Sequence, residues 1–335
     1  MPDTYDARQA LYAAIEKDRK SRVVALVTGD RPNMQTQIGN DSVDLLSEHL
    51  DALFPAKKIS FILYTNGGNT MAAWNMVNML KMFCDELEII VPSRARSAGT
   101  LMCLGADMVL MTKQATLGPI DPSLSGPLNP GIPGASPDAR APVSVEAVRG
   151  YIEMAKQDFG VKAGSDMAHV LMNLSEKVHP LVLGSIFRSR SQIQSLAREL
   201  LKGQVKDAAK TKKIIDFLCS ESGSHDYTIN RREAKQLGLN VEVPSEKLYR
   251  LIKDWLQAMR AELEVTSPFD PNALLGVNQT VKYSCTRCLL ESTAYPGHIF
   301  VSEGELTRVQ YPIPGTNIPQ EAINDQRLFE GWRPR

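Results

Sequence analysis

Apolar residues in this chain fall in short dense runs, separated by longer stretches in which they recur every three or four positions. The runs at 23–27, 59–64, 87–91 and 108–111 have the length and branched-residue content of buried strands. Helical patterns lie between them at 42–53, 69–83 and 97–104, and residues 1–20 read as an amphipathic helix with Leu11 and Ile15 on one side. Strands alternating with helices predict an α/β fold around a largely parallel sheet with right-handed crossovers. From 117 to 142 the stretch LGPIDPSLSGPLNPGIPGASPDARAP is too rich in Pro, Gly and Ser for regular structure and reads as a long working or mobile loop. Helical patterns return at 145–159, 166–174, 181–201, 205–219, 231–237 and 246–263. We expect a main domain over 1–264 and a C-terminal extension over 265–335 whose role the pattern leaves unassigned.

The helix at 69–83 is apolar nearly all round, with Met71, Trp74, Met76, Val77, Met79, Leu80 and Met82 among its residues. A helix of this kind must be covered on every side. One face fits its own sheet, and the remainder is expected to meet a second copy in a homo-oligomer.

Two turns carry candidate chemistry. The strand Phe61-Ile-Leu-Tyr runs into Thr65-Asn-Gly-Gly-Asn and then a helix, so Gly67 and Gly68 allow a sharp turn and a close N–H approach to a ligand. The spacing and missing third glycine do not fit a dinucleotide fingerprint. The next strand ends at Pro92 and leads through Ser93-Arg-Ala-Arg to Ser97-Ala-Gly, where Ser97 stands at a helix start. Capping is the commonest role for serine there. Turns after adjacent parallel strands lie side by side at the carboxyl edge of the sheet, where ligands bind in open α/β folds. The N–H groups of Gly68 and Ala98 would then point at one oxygen from two sides, an oxyanion-hole geometry, with Ser97 beside it as a nucleophile.

Composition narrows the field. Thirty-eight basic residues balance 38 acidic ones, leaving no electrostatic footprint for nucleic acid or an anionic membrane. The charged N-terminal stretch lacks an apolar signal core, and no uncharged apolar run is long enough for a membrane span. Five cysteines, mostly in apolar surroundings, read as reduced thiols of a cytoplasmic protein. Cys285 and Cys288 form half of a zinc pattern, with His298 a third ligand and no fourth, so a metal-free structural pair is expected and no cofactor is read.

The blocks YTNGGNTMAAWNMVNMLK, ARSAGTLMCLGADMVLMT, LGPIDP and HDYTINRREAKQLGL, in that order over roughly 20–255, resemble the serine dehydrogenase proteinase family, of the signal-peptide-peptidase A group within the Clp-protease/crotonase clan. The resemblance implies a Clp-protease/crotonase-like repeated β-β-α spiral with a helical C-terminal part, a ring or stacked oligomer, and a peptide or protein substrate. It places the nucleophile at Ser97 and the oxyanion donors at Gly68 and Ala98. Where Clp-type proteases carry a catalytic histidine this chain has Asp121. Signal-peptide-peptidase-like members use a later lysine, which points to Lys177 ahead of Lys113, Lys156 and Lys162, with His179 as the neighbouring alternative. A lysine serves as base when burial disfavours its charged form. His225 is read as structural. A catalytically silent scaffold and a crotonase-like acyl-CoA enzyme are the competing readings.

Overall fold

The computed structural model describes residues 4–120, 123–124, 126–162, 164–221, 226–312 and 319–335. Its first part runs α1 (Thr4–Arg19), β1 (Arg22–Thr28), α2 (Asp41–Leu53), β2 (Ala56–Tyr64), α3 (Thr70–Met82), β3 (Cys84–Val91), β4 (Arg94–Ala95), α4 (Ala98–Gly105), β5 (Met108–Met111) and β6 (Thr116–Leu117). The loop after it contains the short pair β7 (Ser123–Leu124) and β8 (Val143–Ser144). Helices follow as α5 (Val145–Gln157), α6 (Ser165–Lys177), α7 (Pro180–Leu201) and α8 (Ala208–Asp216). Then come β9 (Ile229–Asn230), α9 (Arg231–Leu237), β10 (Val241–Glu242), α10 (Glu246–Glu262) and α11 (Pro271–Leu275). Three long strands close the chain: β11 (Thr280–Ser292), β12 (His298–Pro312) and β13 (Pro319–Pro334).

The four apolar runs read from the sequence are β1, β2, β3 and β5, and they pair in parallel in that order. Their residues are buried on both faces, which explains why the runs show no alternation. One face, with Leu26, Phe61, Leu63, Ile89 and Val109, packs on α2, α3 and α4. The other, with Val23, Val27, Ile62, Ile90 and Leu110, packs on Tyr12 and Ile15 of α1 and on Ile252, Trp255 and Met259 of α10. A short second layer forms past the carboxyl ends of the strands. There Ile38 pairs with Gly68, Thr65 with Ala95, and β4 with β6, which in turn pairs with β9. Each repeat therefore has a long strand, a short second-layer strand and a helix, the β-β-α spiral that the resemblance implied.

Beyond residue 265, strands β11, β12 and β13 continue the same sheet. β11 lies antiparallel to β1, and β12 and β13 extend the meander outward. Arg8 of α1, fully buried, clamps Glu291 of β11 through Nε and Nη2 at 2.8 and 2.6 Å, and Tyr12 donates to the same carboxylate at 2.7 Å. α3 is covered on most of its sides within the chain. It buries Ala72, Ala73, Met76, Val77 and Leu80 against α2, α4 and the sheet of its own chain, and Met71 and Met82 are left exposed. The apolar composition of α3 is met largely by layers above and below it. Among the described residues no helix is long and apolar enough to cross a membrane.

A buried polar chain locks α2 to the meander. His49 Nδ1 lies 2.7 Å from Ser292 Oγ, His49 Nε2 lies 3.1 Å from His298 Nδ1, and His298 Nε2 is 3.8 Å from Glu48. The Tyr295 ring stacks on His298. Burial, reinforced by His298, pushes His49 down from 6.5 to about 4. Between these values the unfolded chain binds the proton more readily, so stability is complete above pH 6.5 and lost as pH falls towards 4. The loss should reach about 3 kcal/mol at about 1.4 kcal/mol per pKa unit. Urea midpoints on either side of this window should separate strongly in the wild type and less in His49→Gln; equal separations would exclude His49 as the cause.

Candidate active site

Strands β2 and β3 are hydrogen-bonded neighbours, so the turns that follow them emerge side by side. The contact is close. A Cβ built on Gly67 would stand 2.8 Å from Ser97 Cβ, 3.0 Å from Arg96 O and 3.3 Å from the Ala98 nitrogen. Gly67 and Gly68 have φ of 114° and 144°, in the region that favours glycine. A Cβ on Gly68 would come within 2.4 and 2.5 Å of the Ile38 backbone.

Backbone bonds fix both turns. Ile38 N–H donates to Gly67 O at 2.9 Å and Asn69 N–H to Ile38 O at 2.8 Å. Thr65 and Arg96 exchange a further pair through Thr65 N–H to Arg94 O and Arg96 N–H to Thr65 O, both 3.1 Å. Gly67 N–H is held by Thr65 Oγ1 at 2.9 Å, and that hydroxyl meets Thr28 Oγ1 at 2.7 Å. The N–H groups of Gly68 and Ala98 donate to no described residue; Ala98 opens α4, where the first N–H groups lack intrahelical partners. Asn69 caps α3 by accepting from Met71 and Ala72 N–H.

Ser97 has φ 50° and ψ −115°, and its side chain makes no capping hydrogen bond. A capping serine sits in the extended region and accepts from the second or third helical N–H. Ser97 does neither. Such a backbone costs about 1–3 kcal/mol and persists only when its surroundings over-determine it. The constraints here are Gly67 on one side and Gly99 on the other, whose absent Cβ would lie 2.4 Å from Thr65 Cγ2. Thr100 Oγ1 lies 2.8 Å from both Ala95 O and Gly118 O, with one proton to share between them, and accepts from Gly118 N–H at 3.0 Å.

Half-buried Ser97 opens into a cavity of about 220 Å³ lined also by Asn66, Arg94, Arg96, Pro119 and Asp226. Arg94 is paired with Asp30 at 2.8 Å and lies 5.5 Å over the Tyr64 ring. Tyr64 donates to Asp30 at 2.8 Å; burial and that carboxylate push the phenol up to about 12. The sequence reading missed Asp226 as a lining residue. Its only signal was membership of the block HDYTINRREAK; β9, three residues on, pairs with β6.

The lysines stand elsewhere. Lys177 is exposed at the last position of α6, a helix with no buried residue, and no described hydrogen bond or ion pair joins it to Ser97. His179 caps α7 by accepting from Leu181 N–H at 3.2 Å. Lys113 pairs with Glu246 at 3.7 Å, and Lys156 and Lys162 are exposed. Asp121 and His225 lie outside the described residues. No group of metal-ligating residues forms among the described residues. Cys285 Sγ accepts from Arg31 at 3.5 Å, while Cys288, beyond a register shift at Thr286, donates to Thr36 Oγ1 at 3.0 Å. Burial pushes the Cys285 thiol up and the Cys288 thiol up to about 11.

The contact between the turns is testable by stability. Gly67→Ala should lower the unfolding free energy by at least about 1 kcal/mol, because the new Cβ meets Ser97 and φ is positive. Gly131→Ala, with open space around it, should stay within about 0.5 kcal/mol of wild type. Equal denaturant midpoints for the two variants would remove the contact from the account.

Comparison with known proteins bears on the family and the fold. Residues 3–136 match the family described as ClpP-like SDH-type serine proteinase. An uncharacterised protein of Methanocaldococcus jannaschii is 32% identical over 206 residues, which is 61% of this chain and 60% of that protein. A second from the same organism is 29% identical over 263 residues, 75% of this chain and 77% of that one. Among solved structures, the 1510-N membrane-bound stomatin-specific protease aligns in two forms. A lysine-to-alanine mutant with a substrate peptide gives TM-score 0.37 at 17% identity, covering 62% of this chain and 71% of that one. A serine-to-alanine mutant gives 0.39 at 19%, covering 65% and 79%. Residues 3–136 of this chain are thus similar to the ClpP-like SDH-type serine proteinases, and the fold built above is Clp/crotonase-like.

Proposed function

We propose that the chain is a serine peptidase that hydrolyses peptide bonds of peptides or unfolded protein segments. Ser97 is its nucleophile, and the N–H groups of Gly68 and Ala98 are its oxyanion donors. The observation that carries this reading is the backbone of Ser97: at positive φ, uncapped and pressed against Gly67. In the reaction, Ser97 Oγ attacks the substrate carbonyl as a base removes its proton. The carbonyl oxygen gains charge between the two N–H groups, and the amine leaves with a proton. Water then attacks the acyl-serine to release the acid and restore the hydroxyl. One oxyanion donor supplies about 2.7–4 kcal/mol in comparable sites. Ser97→Ala should keep the fold while abolishing fluorophosphonate labelling and peptide hydrolysis. Undiminished hydrolysis by the purified variant would sink the assignment.

The base belongs to the assembled form of this reading. Lys177 is exposed in its own chain, on an arm whose Leu171, Met172, Leu181 and Phe187 are exposed as well. A homo-oligomer that covers this arm would bury the lysine and bring it to Ser97 of a neighbouring copy. Ser97→Ala and Lys177→Ala should each be inactive alone, and mixed subunits should regain a measurable fraction of wild-type hydrolysis. Light scattering should report an assembly larger than the 37.0 kDa chain. Full activity of Lys177→Ala, or a monomer in solution, would refute this arrangement.

A further inference from the structure

We propose that Arg287, in the C-terminal meander, is a positioning residue for the Gly67–Gly68 turn; the proposal deepens the reading of that turn as half of the oxyanion hole and rests on it. The path is short. Arg287 Nε donates to Met34 O at 3.0 Å and Nη2 to Gln35 O at 2.6 Å. Three residues after Gln35, Ile38 N–H and O hold Gly67 O and Asn69 N–H on either side of Gly68. The planar fork thus reaches two successive carbonyls of the segment whose next turn grips the glycines.

The guanidinium is itself anchored from the far side. Nη1 donates to Ser302 Oγ of β12 at 2.9 Å and meets Glu330 of β13 at 2.8 Å, and Glu330 also accepts from Ser302 at 2.7 Å. The Phe300 ring lies 5.9 Å from the guanidinium carbon. All three strands of the meander therefore converge on one cation, held away from water with 14% of its side chain exposed. The Arg287 main chain grips the other end of the same segment. Its carbonyl accepts from Gly29 N–H at 2.8 Å and from Thr36 Oγ1 at 3.2 Å. A Cβ on Gly29 would stand 2.4 Å from that oxygen, so only glycine permits the approach. Residues 29–36 are held at both ends by one residue that lies outside the stretch matched to the proteinase family.

Such a strut should act on catalysis through geometry rather than through binding, because neither Arg287 nor 29–36 lines the Ser97 cavity. A small displacement of an oxyanion donor lowers the rate of the chemical step with little change in ground-state binding. Arg287→Lys keeps a cation for Glu330 but loses the two-carbonyl fork, and Arg287→Met removes both. The full chain is used, with amide exchange and steady-state hydrolysis of an unfolded protein substrate as readouts. Tyr283→Phe is the control, since it breaks bonds to Asp325 and Arg327 within the meander and leaves 29–38 alone.

Both Arg287 variants should speed exchange at the Ile38 and Asn69 amides on the order of tenfold, while Leu26, Leu63 and Leu290 in the sheet and the Tyr283→Phe protein stay as in wild type. Their kcat should fall about tenfold or more with KM unchanged. Unmoved exchange at Ile38 and Asn69 would overturn the proposal, as would a uniform rise across the sheet. So would faster exchange at unchanged kcat. If the wild type hydrolyses nothing, the Ser97 reading fails by that fact, and the exchange pattern alone still decides whether Arg287 holds the turn.

Discussion

Two parallel strands at hydrogen-bonding distance deliver their following turns to nearly the same place, and the rest of the site depends on how that crowding is resolved. Strands lie about 4.8 Å apart, too close for two ordinary turns to pass with side chains between them. Here the crowding is relieved by deletion. Gly67 lacks the Cβ that would strike Ser97, Gly99 lacks the one that would strike Thr65, and Gly68 lacks the one that would strike Ile38. With these gaps closed by backbone, the three segments bond directly through Ile38–Gly67, Ile38–Asn69, Thr65–Arg94 and Thr65–Arg96. The second layer is the outcome of that contact, and so is the conformation of Ser97, which has no freedom to relax into an extended cap.

That rigidity has to be backed from outside the spiral. A strand with a free edge would leave β1 and the segment after it as the weakest part of the sheet. β11 removes the edge, and the buried pair of Arg8 and Glu291 ties it to α1 across the sheet. A buried ion pair of this kind contributes little net stability, yet losing one partner leaves an uncompensated charge worth about 3–5 kcal/mol. Such a pair therefore selects one register. The same register places Ser292 against His49 and Arg287 against the carbonyls of Met34 and Gln35. The meander looks peripheral by position, but three separate polar contacts make its register and the placement of the first spiral turn one problem.

The sequence was legible where short-range rules decide. The continuous apolar runs became β1, β2, β3 and β5 because strands covered on both faces show no alternation, and the boundaries of α9 were read to the residue because Asn230 caps one end and Gly238 closes the other. The adjacency of the Gly67–Gly68 and Ser97 turns also followed from chain order alone. What could not be read needed long-range pairing. Nothing around Arg287 announces that its partners lie some 250 positions away, and His49 in a helix of ordinary pattern shows no sign of Ser292 or His298. α3 was only partly legible for a related reason. Apolar residues on every side say only that every side is covered, and the layers of its own chain supply most of the cover.

On the proposed reading, the strain at Ser97 joins fold to chemistry. A helix start gains about 1 kcal/mol from a capping serine, whereas the conformation observed forgoes that gain and adds a backbone penalty of about 1–3 kcal/mol. Stability alone would remove this feature, since a serine in extended conformation, with a residue in place of Gly67, would cap α4 at no such penalty. What the strained form provides is a serine whose hydroxyl makes no capping bond, which lines a cavity and lies next to turns with two N–H groups that no described residue uses. Donors fixed before the reaction do not have to be reoriented as charge develops, which is where preorganised sites gain over water. The same logic sets a requirement on the base. A lysine can take the serine proton only when its charged form is disfavoured by removal from water, and α6 as it stands in one chain offers no such shelter. Whatever supplies the base must bring its own burial with it, which is why the proposed reading turns to the exposed apolar residues of the arm that carries Lys177.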